Sequence, residues 1–150
     1  MGGEMDELDL VLMRIDTIVV DPQTSAPVMV LRGEQDDELY LPISIGQLEA
    51  AAIASVMADF VLPRPMTHDL FSSVVEQVGG QIDRVTITRL EDDTFYAEIT
   101  LTDLRGETHV IDARPSDSVA LALRANAPIY VSEAVLAEAG GYVTDDDEDE

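Results

Sequence analysis

The sequence of 150 residues contains no cysteine, no tryptophan and no lysine, and it has only two histidines. Without cysteine the chain cannot form disulfides or thiolate metal sites. Two histidines cannot build a three-histidine zinc site within one chain. Aromatic residues make up 5% of the chain and hydrophobic residues 46%, so a buried core must be mainly aliphatic. These absences exclude disulfide-stapled and zinc–thiolate proteins.

Positive charge is scarce, and arginine carries all of it. Eight arginines face 31 acidic residues, for a formal net charge of −23. The terminal segments 1–9 and 145–150 hold ten of the acids, so the stretch between them still carries a charge of −13. This balance excludes the usual basic binder that neutralises phosphates along a duplex, and anchoring to an anionic membrane by a polybasic patch. Adaptation to high salt and an ordinary acidic protein with a solvating tail both explain it.

The two ends of the chain differ in composition from its middle. The first ten residues, MGGEMDELDL, lack the basic and apolar regions of a secretory signal. The closing TDDDEDE cannot bury enough apolar surface to fold. The longest apolar stretch, over residues 50–62, is broken by Asp59 and is too short to span a membrane. We expect a soluble cytoplasmic protein with a disordered or extended N-terminus at 1–8, one domain at 9–140 and a disordered acidic tail at 141–150.

Apolar residues that alternate with period two predict strands in two regions of the chain. The second region contains the clearest hairpin, in which Val85 and Ile87 alternate before an acidic turn at 91–93 and further alternation follows it. The predicted strands cover residues 11–19, 26–31, 39–43, 85–87, 95–101, 108–114 and 129–131.

Apolar residues that recur every three to four positions predict four helices. The predicted helices run from Gly46 to Pro63, from an N-cap at Thr67 to Gly79, from an N-cap at Ser116 to Asn126, and from an N-cap at Ser132 to Gly140. Strands and helices are grouped in runs, without strict βαβ alternation. This order predicts a single α+β domain with a mixed, largely antiparallel sheet and segregated helices.

The segment PRPMTHDL, residues 63–70, is the first candidate for chemistry. Its two prolines hold Arg64 in extended backbone with few conformers. His68 and Asp69 fall in the first turn of a helix, where free backbone N–H groups favour an anion. His68 is a candidate general base and Asp69 a candidate metal ligand. The alternative is that Asp69 only complements the helix dipole and His68 forms a local hydrogen bond.

The segment DARPSD, residues 112–117, is the second candidate. Asp112 and Arg114 are two apart on a predicted strand, so both should project from one face, and Asp117 starts the next helix. Two carboxylates and a guanidinium at such a junction suit phosphodiester hydrolysis, with Mg²⁺ or Mn²⁺ on the carboxylates and the arginine on a phosphate. The alternative is an ion-pair network in which Arg114 bridges Asp112, Asp117 or Asp69.

Other functional signals in the sequence are weaker. Glu49 on the first helix is a candidate third carboxylate, although a solvated helix face also explains it. His109 is interpreted as a surface residue of a strand. The sequence contains no Walker phosphate loop, dinucleotide fingerprint, nucleophile elbow or His-Glu-x-x-His motif.

Four segments resemble the bifunctional nuclease domain family, and together they extend over roughly residues 9–137. They are LPISIG at 41–46, PRPMTHDL at 63–70, DDTFYAEI at 92–99 and DARPSDSVALALRANAPIYVS at 112–132. The resemblance implies an α+β domain that self-associates as a dimer, and DNase and RNase activity is known for some plant members. The matching polar positions are Arg64, Thr67, His68, Asp69, Asp112, Arg114, Ser116 and Asp117, with Glu49 where the family often carries an acid.

Two hypotheses follow. In the first, the protein is a nuclease that requires Mg²⁺ or Mn²⁺ held by Asp69, Asp112, Asp117 and Glu49. His68 then moves a proton and Arg64 or Arg114 stabilises the charge on phosphorus. The substrate is held by Arg64, Thr67 and Ser116. In the second, it is a non-enzymatic regulatory or scaffold domain whose polar clusters are structural. The lack of lysine argues against non-specific duplex binding but not against cleavage of a short or single-stranded nucleic acid.

Overall fold

A computed structural model describes residues 9–144, which form one α+β domain around an eight-stranded mixed sheet. The strand order in the sheet is β6-β5-β4-β7-β1-β2-β3-β8, and among the described pairs only β4 and β7 run parallel. The strands are β1 (Leu10–Val20), β2 (Pro27–Gly33), β3 (Leu39–Ser44), β4 (Gln81–Glu91), β5 (Thr94–Thr102), β6 (Thr108–Ala113), β7 (Ile129–Ser132) and β8 (Gly141–Tyr142). The predicted fold class is confirmed.

Four helices accompany the sheet: α1 (Gln47–Met57), α2 (Thr67–Gln77), α3 (Pro115–Ala125) and α4 (Glu133–Ala139). Helix α3 is the central one, since seven of its residues are buried. It packs against α1, α2, β4 and β5. None of the helices described is long and apolar enough to cross a membrane.

The predicted hairpin between β4 and β5 is confirmed. The backbone conformation of its turn explains why two aspartates occupy the loop positions. Asp92 and Asp93 both have positive φ, 50° and 63°. A two-residue loop with two positive φ angles is typical of a type I′ turn, whose twist matches that of the flanking strands. Aspartate tolerates this backbone because its short side chain can hydrogen-bond locally.

The helix ends differ from the prediction at three places. Helix α1 stops at Met57, because Asp59 enters the left-handed region at φ 53° and turns the chain before Phe60. Thr67 is not an N-cap, since Met66 holds that position. Ser116 is not an N-cap either, because Arg114 caps α3 and Pro115, which has no N–H to satisfy, fills its first position.

Two predicted helix boundaries agree with the structure, and part of one terminal segment forms a strand. Ser132 caps α4 as predicted, accepting a hydrogen bond of 3.2 Å from the backbone N of Val135. Asn126 ends α3 in the left-handed conformation. Gly141 and Tyr142, assigned to the acidic tail, pair with β3 as strand β8. The predictions for residues 1–8 and 145–150 lie outside the described residues.

Candidate active site

A cavity of about 610 Å³ opens where the first turns of α1, α2 and α3 meet the end of β6. The N-termini of three helices border this space, and helix N-termini favour anions, but the side chains of the lining include three carboxylates and one arginine. The cavity has a polar side and a broad apolar side. The polar lining residues are Glu49, Thr67, His68, Asp112, Arg114 and Asp117, and the apolar ones include Leu48, Phe71, Ile99, Ile111 and Leu121.

The pair of His68 and Asp117 forms the centre of the polar side. His68 Nε2 lies 2.8 Å from Asp117 Oδ1, although the two residues are 49 positions apart in the sequence. An ionised carboxylate can only accept a hydrogen bond. A neutral imidazole in this pair therefore carries its hydrogen on Nε2, which leaves Nδ1 as an acceptor. Such a ring is oriented for proton transfer at Nδ1.

Arg114 connects this pair to α1. Its Nε donates to Asp117 Oδ2 at 2.9 Å, and its Nη2 donates to Glu49 Oε2 at 3.2 Å. The Glu49 carboxylate lies close to Gly46, where a Cβ would collide with Glu49 Oε1 in its present position. The Arg114 side chain is nonetheless 64% exposed. Its guanidinium therefore remains open to a ligand in the cavity.

Electrostatics keep the cluster charged. Burial by itself raises the pKa of Asp117, but the hydrogen bonds from Arg114 and His68 outweigh it and leave that pKa below the ordinary value. The hydrogen bond to Asp117 raises the pKa of Arg114. Both groups are thus ionised at neutral pH.

Asp69 does not join this cluster, although it follows His68 directly in the sequence. Its Oδ1 accepts a 2.6 Å hydrogen bond from Arg124 Nε, and its Oδ2 accepts one of 2.8 Å from the backbone N of Met66. The bond from Arg124, followed by that from Met66, lowers the pKa of Asp69. Asp69 is absent from the residues that line the cavity. Arg114 therefore bridges Asp117 and Glu49, and Asp69 pairs with a different arginine.

Asp112 is part of the cavity lining at the end of β6, but it lies on the strand face opposite Ile111. In the register of β6 on β5, Ile111 pairs with Ile99, whereas Asp112 pairs with Glu98. Since successive side chains of a strand point to opposite faces, Asp112 lies on the face opposite the apolar wall. Arg114 lies one residue beyond the end of β6, in the extended backbone of the α3 N-cap, and it lines the same cavity as Asp112.

The three predicted substrate-binding residues are spread over different surroundings. Thr67 lines the cavity. Ser116 is buried and borders a neighbouring smaller cavity of about 360 Å³. Arg64 is exposed, two positions before Met66, and forms no hydrogen bond or ion pair with residues 9–144.

The four predicted metal ligands do not converge. Within residues 9–144, the only three His, Asp or Glu side chains whose ligand atoms lie within 4.8 Å of one another are Asp103, Glu107 and His109. They sit on the exposed turn between β5 and β6, where Asp103 accepts from His109 and from the backbone N of residues 105 and 107. The carboxylates near His68 are instead paired with arginines.

Sequence reasoning missed two features that shape the site and its surroundings. One is Arg124, whose side chain is only 6% exposed; a charged residue within the otherwise apolar run VALALRA was a signal that a buried partner is needed. The other is the apolar wall of the cavity, formed by residues from α1, α2 and β6. No local pattern brings those residues together.

Comparison with known sequences finds relatives that match most of the chain. The sequence model of the bifunctional nuclease domain matches residues 29–144. An uncharacterized protein of Mycobacterium tuberculosis is 44% identical over 138 residues, which cover 92% of this chain and 81% of that protein. Bifunctional nuclease 1 of Oryza sativa subsp. japonica is 28% identical over 115 residues, covering 74% of this chain and 35% of the rice protein. Bifunctional nuclease 1 of Arabidopsis thaliana is 25% identical over 109 residues, covering 71% of this chain and 34% of that protein.

Proposed function

Since this chain belongs to the bifunctional nuclease domain family, we propose that it hydrolyses phosphodiester bonds of nucleic acids in the cavity beside His68 and Asp117. One observation carries the proposal. An aspartate-held histidine, an open arginine and three helix N-termini share one solvent-reachable space. These are the groups that proton transfer and phosphate binding require.

The chemistry follows from the orientation of the pair. Asp117 holds the imidazole so that Nδ1 of His68 takes a proton from an attacking water. The water oxygen forms the new bond to phosphorus, the bond to the leaving sugar oxygen breaks, and solvent protonates that oxygen. Arg114 and the helix N-termini stabilise the extra negative charge on the phosphate during the reaction.

The exposure of Arg114 favours this role over a purely structural one. Ion pairs between exposed groups contribute about 0–1 kcal/mol to stability, so an arginine that is 64% exposed does little to hold α1 and α3 together. A scaffold domain would gain little by keeping Glu49, Arg114 and Asp117 around an open cavity. A nuclease needs an accessible cation there.

A requirement for Mg²⁺ or Mn²⁺ stays a prediction. Carboxylate oxygens are suitable ligands for these ions, but Asp69 and Asp117 are engaged by arginines, and Asp112 lies on the other face of the sheet. These carboxylates therefore do not form a preformed three-ligand centre; within residues 9–144 the ligand atoms that do lie close together are those of Asp103, Glu107 and His109. We therefore assign no step of the reaction to a metal ion.

The proposal is tested by following the release of fragments from end-labelled oligonucleotides. His68→Gln should lower the rate about 100- to 10,000-fold, which is the usual contribution of a general base. His109→Gln is the matched control, because the other histidine pairs with Asp103 away from the cavity. Reactions in a chelator and with added Mg²⁺ or Mn²⁺ test the metal prediction. Equal rates for His68→Gln and the wild type would overturn the proposal.

The family resemblance also predicts a dimer, and we propose that two copies associate through α2. Although α2 carries several apolar residues, none of its residues is buried within the described chain. Leu70, Val74 and Val78 are exposed along one side, and the exposed Leu104 lies against Gly79 at its end. Each copy has a net charge of −23, so two copies repel each other. An apolar face with few charges is the surface at which they can approach.

Sedimentation analysis tests the dimer. Val74→Arg should shift the protein from dimer to monomer, because it places a desolvated charge in the contact. Val20→Arg, at an exposed position at the end of β1 and away from α2, should leave the mass unchanged. A wild type that is monomeric at high concentration would exclude this interface.

A further inference from the structure

The apolar lining of the cavity is larger than the binding of a phosphate at the polar side requires. Ile99 and Leu121 are buried in its floor, while Phe71 and Ile111 remain 41% and 39% exposed at its wall and Leu48 is 82% exposed. Apolar side chains gathered around a concave space usually mark a binding site. Here they lie beside the groups that would bind a phosphate. A ligand that fills the cavity must therefore contain an anionic group and, next to it, an apolar group that is preferably flat.

A nucleotide has this composition when its base is free. In a duplex the bases are paired and stacked, so none can enter a cavity beside the phosphate without leaving the stack. In a single strand, bases are available to stack on aromatic side chains. Phe71 is the aromatic residue in the cavity wall.

The net charge of the chain also favours a single strand over a duplex. Duplex binders draw most of their affinity from Lys and Arg on phosphates, but this chain has no lysine and a net charge of −23. Few phosphate contacts are available at the cavity, because among residues 9–144 its lining includes one arginine, Arg114, beside three carboxylates. Binding energy must then come from the base.

We propose that the cavity holds one unpaired nucleobase against Phe71, Leu48 and Ile111, so that the substrate is single-stranded nucleic acid. The proposal rests on the proposed function, because it assigns the substrate class of the same cavity. The base on Phe71 places its phosphate at the polar side, within reach of Arg114 and His68. Phe71 is thus a specificity-determining residue, and duplexes are excluded because their bases cannot reach it.

The test measures both binding and cleavage on three labelled DNA ligands of equal length: a single strand, the same strand in a duplex, and a strand of abasic residues that keeps the phosphates. Binding is followed by fluorescence anisotropy with the His68→Gln variant, and cleavage with the wild type. We expect the single strand to bind and to be cut, and the other two to do neither. Phe71→Ala should weaken single-strand binding about 5- to 150-fold, the range for one lost base–aromatic stack. Phe60→Ala, an exposed phenylalanine outside the cavity, is the matched control.

The outcomes separate the two proposals. Cleavage of duplex and single strand at equal rates, unaffected by Phe71→Ala, overturns the substrate assignment and leaves the nuclease function intact. Binding of the single strand that depends on Phe71, without cleavage of any ligand, supports the base site and overturns the nuclease function. A Phe71→Ala variant that loses only its dimeric mass, with unchanged binding, assigns Phe71 to the subunit contact and overturns the base site. Neither binding nor cleavage of any ligand overturns both.

Discussion

His68 and Asp69 are neighbours in the first turn of α2, yet they belong to two different ion-pair clusters. His68 contacts Asp117 at the cavity, beside Arg114, whereas Asp69 contacts Arg124. Successive residues on a helix point about 100° apart, so adjacent positions reach different parts of the molecule. Residues that are neighbours in a sequence motif can therefore have unrelated roles.

The two clusters differ in how far the side chain of their arginine is exposed to solvent. The Arg114 side chain is 64% exposed, and the Arg124 side chain is 6% exposed. A buried cation that loses its partner is strongly destabilising, whereas an exposed ion pair contributes little. We therefore interpret the Arg124 cluster as structural, holding α2 on α3, and the Arg114 cluster as functional.

The largest expected effect comes from breaking the functional cluster at Asp117. Asp117→Asn should lower the rate of phosphodiester hydrolysis about 100- to 10,000-fold, because an amide no longer fixes the imidazole with its hydrogen on Nε2. Asp103→Asn is the control, since Asp103 pairs with His109 at the same 2.8 Å distance outside the cavity. Fragment release from labelled oligonucleotides measures both. If both variants lose activity equally, the cavity is not the site.

Breaking the structural cluster should instead reduce stability. Asp69→Ala leaves the Arg124 guanidinium buried without its carboxylate, with a hydrogen bond to the Ala120 carbonyl remaining, and loss of a buried ionic partner costs about 3–5 kcal/mol. We expect the lower end of that range because Asp69 is itself 38% exposed.

Urea denaturation measures the free energy of unfolding for this variant. Glu91→Ala is the control, because it breaks a pair with Arg89 in which both side chains are more than half exposed, and it should change stability by about 1 kcal/mol or less. An equal, small change in both variants would contradict the structural role of Asp69.

Removing the exposed arginine should affect function more than folding. Arg114→Ala should change the free energy of unfolding by about 1 kcal/mol or less. It should also lower the hydrolysis rate about 100-fold, as the loss of one donor to a charged transition state does. Denaturation and kinetics on one preparation test this. A loss of several kcal/mol would mean that the Arg114 cluster is structural after all.

The smallest effect is a dependence of stability on pH. Because hydrogen bonds from Arg124 and Met66 lower the pKa of Asp69 below 3.8, its contribution is complete above that pH and is lost as the pH falls through the lowered pKa. The stability difference between wild type and Asp69→Ala should therefore be constant near neutrality and shrink below about pH 4. Denaturation at several pH values measures it, and a difference that persists at pH 2 would show that the charge of Asp69 is not its cause.

The sequence predicted much of this fold because its signals are local. Alternation fixed the strands of the β4–β5 hairpin, and glycine, proline and asparagine marked most helix ends. The nuclease hypothesis required His68, Asp117 and Arg114 to share one site, and the structure brings them together.

The remaining features depend on tertiary contacts that no local pattern encodes. The assignment of Asp69 to the cavity failed because its partner, Arg124, lies 55 residues away on a helix predicted only as an apolar stripe. Thr67 was predicted as the N-cap because its residue type favours that position, but Asp69 satisfies the backbone N of Met66 and moves the cap one residue earlier.

A double-mutant cycle in hydrolysis between His68 and Asp117 tests most directly whether the two act as one catalytic unit. The rates of the wild type, His68→Gln, Asp117→Asn and the double variant are measured on one single-stranded oligonucleotide. If Asp117 acts by orienting His68, the double variant should lose about as much rate as His68→Gln alone, because residues that work as a unit are non-additive. Two results would contradict the claim that His68 and Asp117 act as one unit: rate losses that multiply in the double variant, or single variants that retain the wild-type rate.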